Sequence, residues 1–169
     1  MRLAYADPPY PGQAARHYSH DPRCAEVDHV ELLTRLVEYD GWALSTSSPA
    51  LGHVLECIPN GATYRIAAWV KPFASFKPGV NPAYAWEPVI FSSARKRERT
   101  EDTARDWVAC SITLKKGLAG AKPPAFCRWI FDLIGAQPGD TFDDLYPGTE
   151  IVTDCWSAFI GEPKQGPLL

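Results

Sequence analysis

Two consecutive prolines, Pro8 and Pro9, follow directly on the apolar run Leu3-Ala4-Tyr5-Ala6, and this junction constrains the fold more than any other stretch. A short apolar run closed by a turn signal reads as a buried strand. Neither proline can extend a strand ladder, because each lacks an amide hydrogen, and neither fits a helix interior. The strand must therefore end in a stiff turn from which Asp7 and Tyr10 emerge. A carboxylate, the Pro8 carbonyl and a phenol ring are thus held close together at one strand end.

The rest of the chain alternates. Val27, Val30, Leu33, Leu36 and Val37 recur at helical spacing between Cys24 and Tyr39, which predicts a helix closed by Asp40-Gly41. Trp42 to Thr46 reads as a short strand. A helix from Pro49 to about Ile58 follows, with Ser47 or Ser48 as its cap, and stops at Pro59-Asn60-Gly61. Thr63 to Val70 and Trp86 to Phe91 are strands, separated by a loop from Phe73 to Ala83. Pro11 to Arg23 reads as a polar loop over the site, its Arg16, His17, Tyr18 and His20 within reach of a substrate. Later, Lys122-Pro123 leads into a helix from Ala125 to Gly135, then a turn at Pro138-Gly139-Asp140, a strand over Thr141 to Asp143, and a helix from Ile151 to Ile160. Strands alternating with helices argue an α/β sheet covered on its faces.

A length of 169 residues suffices for one domain with a real core. The net charge of −3 gives no global basic field for nucleic acid. Locally, residues 92–117 carry seven basic and four acidic side chains. Arg95, Lys96, Arg97 and Arg99 there are candidate phosphate contacts, the alternative being a solvated loop. The five cysteines are scattered and never spaced Cys-x-x-Cys, as expected of reduced thiols in a cytoplasmic protein. The four histidines form no metal-binding pattern, so no metal is expected. No apolar run is long enough to span a membrane.

Asp7-Pro8-Pro9-Tyr10 at a strand end resembles the catalytic motif of the amino-group methyltransferases, which modify N6 of adenine or N4 of cytosine. The second half of the chain is similar to the cofactor-binding half of the same enzymes: Lys122-Pro123, a helix, Pro138-Gly139-Asp140, a strand, then Asp144-x-Tyr146-x-Gly148-Thr149. Trp86-Glu87 entering an apolar strand matches a feature between the two. Catalytic motif before cofactor motif is the order of the circularly permuted β group. The resemblance implies an open, mostly parallel, Rossmann-like sheet in permuted order, with S-adenosylmethionine as cofactor. It implies that Asp7 and Pro8 accept hydrogen bonds from the amino group, that Pro9 fixes the turn, and that Tyr10 stacks on the extruded base. Lys122, Pro123, Asp144, Tyr146, Gly148 and Thr149 would line the cofactor.

Two departures accompany the resemblance. Glu150 stands where the family's turn has a second glycine, and Leu145 where it has a proline. The chain also ends soon after its last helix, so one or two strands of the usual seven are expected to be missing, and no separate target-recognition insert is seen beyond residues 92–117. The expectation is one methyltransferase domain, with a catalytic half (1–91), the basic segment (92–117), a cofactor half (118–160) and a tail (161–169). Adenine N6 in DNA is the expected target. Open alternatives are RNA, N4 of cytosine, and a non-catalytic nucleic-acid-binding relative. A homodimer or partner subunit completing the site is compatible with the truncation.

Overall fold

A computed structural model describes residues 1–10, 27–72, 78–112 and 121–161. The expected loop at 11–23, residues 73–77 of the expected loop at 73–83, Lys115 and Lys116, and the tail beyond 161 lie outside the described residues. Six strands form one sheet: β1 (Arg2–Ala6), β2 (Gly41–Ser45), β3 (Arg65–Val70), β4 (Trp86–Ser92), β5 (Trp107–Ala109) and β6 (Thr141–Asp144). Their order is β5-β3-β4-β2-β1-β6. β1 pairs in parallel with both β2 and β6, and β3 with β5; β4 runs antiparallel between β2 and β3. The expected open, mostly parallel α/β sheet is present. It has six strands among the described residues where the resemblance implies seven.

The centre of the sheet is covered by helices on both faces. α1 (His29–Leu36) and α2 (Leu51–Glu56) pack one face, where Leu32, Leu33, Leu36 and Val54 meet Ala4, Ala6, Leu44 and Ile90. α3 (Pro124–Ile134) and α4 (Ile151–Gly161) pack the other, where Phe126, Ile130, Phe131 and Trp156 meet Leu3, Tyr5, Ala43 and Val89. Each such fully buried side chain contributes roughly 1.5–3 kcal/mol. β1 is buried on both faces from Leu3 to Ala6, which is why its sequence is continuously apolar rather than alternating.

Local chemistry accounts for most boundaries and corrects several expectations. α1 begins at an Asp28 cap, whose carboxylate accepts from the Val30 and Glu31 amides, not at Cys24 as predicted. Its inward stripe is His29, Leu32, Leu33 and Leu36, while Val30 is exposed. Gly41 does not close α1; it opens β2. A Cβ there would sit 2.8 Å from Ala94 and from the Ile134 carbonyl, so this glycine permits a close approach. α2 has no serine side-chain cap, its N-cap being Ala50. Gly135 does close α3, in the left-handed conformation (φ 72°). β5 was not expected within the basic segment. Only three residues long, it is held to β3 by Ala68 N–H to Asp106 O at 2.9 Å and Cys110 N–H to Val70 O at 3.1 Å. Among the described residues, no helix is long and apolar enough to cross a membrane.

Candidate active site

Asp7 leaves the carboxyl end of β1, as the proline junction predicts. What meets it there is Lys122, whose Nζ stands 3.1 Å from Asp7 Oδ2 and 3.6 Å from Glu87 Oε2. The lysine side chain is only 7% exposed and the Asp7 side chain 25%. Its ammonium lies over the rings of Trp69 and Phe126, at 5.1 and 5.5 Å from their centroids. Lys71, directly after β3, hydrogen-bonds Glu87 Oε1 from the neighbouring strand. Two carboxylates and two ammoniums therefore alternate in one cluster: Asp7, Lys122, Glu87, Lys71. Glu87 Oε2 is buried and makes no hydrogen bond of ordinary length among the described residues.

The charges balance burial unequally. Burial raises the Asp7 carboxyl above its ordinary range, and Lys122 offsets this only in part. Burial alone would raise Glu87 too, but the Lys122 and Lys71 ammoniums, with hydrogen bonds from Lys71 and Tyr10, hold it below the usual range. Burial would lower Lys122, and Asp7 with Glu87 outweighs that and keeps it protonated. Lys122, expected among the cofactor-lining residues, pairs with the candidate catalytic carboxylate at the end of β1. Glu87 and Lys71 are site residues that the sequence analysis does not assign. The available signal was a lone carboxylate inside an apolar strand, since a charge in such a run is rarely buried without a partner.

The second expected group lies beside the first. β1 and β6 are parallel neighbours, with Tyr5 in register with Asp144, and Leu145 N–H donates to Tyr5 O at 2.9 Å. The turn after β6 and the turn after β1 therefore leave the same end of adjacent strands. The Asp144 carboxylate accepts from Tyr146 N at 3.3 Å and Thr153 Oγ1 at 3.4 Å, and burial raises its pKa above the ordinary value. It borders an open hollow of about 400 Å³ with Arg35, Leu145, Thr153 and Trp156. Tyr146 packs instead towards the α1 side of the core. Gly148 takes a positive φ of 43° and Glu150 one of 59°. Glu150 thus adopts a backbone conformation that favours glycine, with its side chain exposed. Pro123 is the N-cap residue of α3, and Thr149 is half-buried in the loop before α4.

The first part of the basic segment stands away from this site, whereas β5, parallel to β3, returns the chain towards the Asp7 end at Cys110. β4 runs antiparallel, so the chain after Ser92 emerges at the opposite end of the sheet. Arg95 makes a forked pair with Asp140, at 2.7 and 2.6 Å, and donates to Gly135 O at 2.8 Å. Arg97 donates to the carbonyls of Asp102 and Asp132. These two arginines, expected from the sequence as candidate phosphate contacts, tie the segment to α3 and to the entrance of β6. Lys96 and Arg99 are exposed at that same far end.

No family model matches this chain, and no curated protein does. Among solved structures the fold is similar to the crystal structure of the M1.HpyAVI–SAM complex, with a TM-score of 0.62 and 13% sequence identity. The similarity covers 95% of this chain and 78% of that one.

Proposed function

We propose that this chain transfers a methyl group from S-adenosylmethionine to N6 of adenine in DNA. One observation carries the reading: Asp7-Pro8-Pro9-Tyr10 and the Asp144 turn, at opposite ends of the sequence, leave the same end of two adjacent parallel strands. Ligands in open α/β sheets bind at the carboxyl ends of strands, so one pocket would serve donor and acceptor together. The fold shared with a SAM-bound structure supports the same assignment.

The residues at the β6 turn fit such a cofactor. Asp143 and Asp144 offer the hollow two carboxylates and Arg35 one guanidinium, groups that can pair with the ammonium and the carboxylate of such a ligand. Glu150 keeps the glycine-like backbone with its side chain outside. Bound there, S-adenosylmethionine supplies an electrophilic methyl group. The chain's own residues do the rest by positioning. Asp7 and the Pro8 carbonyl accept the two amino hydrogens and draw the lone pair out of conjugation. Lys122 on Oδ2 favours the ionised form of Asp7 against burial and orients it, leaving Oδ1 for the amino group. Tyr10 stacks on the base, worth about 1–3 kcal/mol.

The test is mass spectrometry of nucleosides from cells lacking their own adenine methylation and expressing this chain or Asp7→Asn. N6-methyladenine in DNA is expected only with the parent chain. A methylated base found only in RNA, or only at N4 of cytosine, would keep the chemistry and change the substrate. One observation favours the non-catalytic reading: Lys122 already occupies Asp7. Calorimetric titration with S-adenosylmethionine separates the two, since the enzyme must bind it.

A further inference from the structure

On the α2 side of the sheet, at the end where Asp7 emerges, lies a second hollow of about 370 Å³. It is lined by Tyr84 and Trp86 with Ser48, Asn81 and Pro82. Tyr84 is 57% exposed and Trp86 41%. Two large aromatic side chains left open to water beside a cavity are a recognition feature rather than a packing one. Asn81 adds an amide and Ser48 a hydroxyl, so the hollow pairs flat apolar surfaces with hydrogen-bonding groups.

Its position identifies the occupant. Ala6 is in register with Leu44, and Ser45 with Val89, so Pro8, Thr46 and Pro88 follow one another across the sheet. Trp86 lies two residues beyond Pro88, at the mouth of the same end. Two strand spacings separate β1 from β4, about 10 Å, which is a step to a nucleotide near the target rather than to the target base itself. We propose that the Tyr84–Trp86 hollow is a stacking site for an unpaired base flanking the one presented to Asp7. This rests on the methyl-transfer reading for what enters at Asp7. It adds a contact that a free nucleoside cannot make. The chemistry is that of any base face, so DNA and RNA both qualify.

The experiment compares the parent chain, Tyr84→Ala/Trp86→Ala, Trp86→Phe and Asp7→Asn, each checked for an unchanged melting curve. Fluorescence anisotropy with labelled single-stranded DNA and RNA oligomers reads binding. Methyl transfer to the same oligomers and to free deoxyadenosine is followed in parallel. The double variant should weaken oligomer binding roughly tenfold to a hundredfold, while Trp86→Phe keeps most of it; Asp7→Asn serves as the reference for lost methyl transfer. Deoxyadenosine turnover, where present, should not change. Stronger binding of DNA or of RNA by the parent identifies which strand the hollow takes. Equal oligomer affinity in the double variant and the parent, or no oligomer binding by the parent, overturns the proposal. Aromatic-dependent binding without methyl transfer to any substrate would leave the stacking site standing and remove the catalytic reading instead.

Discussion

Asp7 sits where a carboxylate is hardest to keep ionised, and the alternating cluster around it sets what its substitution does. Asp7→Asn keeps the shape but puts an amide beside Lys122 and loses an acceptor for the amino group. Methyl transfer should fall by roughly a hundredfold or more, measured as initial rate with DNA, while Glu87 still pairs the buried ammonium. Because burial raises the Asp7 carboxyl, the acid limb of the pH–rate profile should lie above the ordinary carboxylate range; a limb below it would exclude Asp7 as the group that must be ionised. Glu150 is the complementary case, a residue whose backbone is costly and whose side chain is idle. Holding a non-glycine residue at φ 59° costs about 1–2 kcal/mol, part of which glycine returns through a freer unfolded chain. Glu150→Gly should therefore stabilise the protein by about 0.5–1 kcal/mol in a denaturant melt.

At the level of strands and helices, most of the architecture could be read from residue type. The Pro8-Pro9 stop, the apolar β1 and the Gly135 cap each follow from local stereochemistry. What could not be read were contacts made across the sheet. Asp28 as cap, Gly41 as a close-approach site and β5 as a three-residue edge strand depend on neighbours distant in sequence. The same holds for Lys122 on Asp7, where a Lys-Pro pair gives no hint of which carboxylate it will meet. Arg95 is the sharpest case: a residue in a basic run is consumed by Asp140, whose side chain is only 4% exposed and also accepts from the Gln137 amide at 2.8 Å. Arg95 holds the Asp140 carboxyl well below its ordinary value of 3.8. A carboxyl depressed on folding adds stability above its unfolded pKa and loses it as pH falls through the folded one. Asp140→Asn should cost about 3 kcal/mol at neutral pH, and the gap between the two melting curves should shrink only below about pH 4.

For the molecule as a whole, the two ends of the sheet have separate tasks. The Asp7 and Asp144 turns leave the carboxyl ends of β1 and β6, whereas Lys96 and Arg99 stand at the other end, about 20 Å away at 3.3 Å per residue. Lys96→Gln/Arg99→Gln should leave the salt dependence of DNA binding unchanged; a slope reduced by one to two units would show that DNA spans both ends. The pairing of β1 with β6 has a consequence for how the protein comes into being. The partners lie almost the full chain apart, and closing so long a loop costs about 4 kcal/mol of chain entropy. During synthesis, the Asp7 turn leaves the ribosome long before the Asp144 turn. A nascent chain would therefore carry a finished Asp7–Tyr10 turn without the Asp144 turn beside it. The competent pocket would arise in one late step, when the final strand docks against the first.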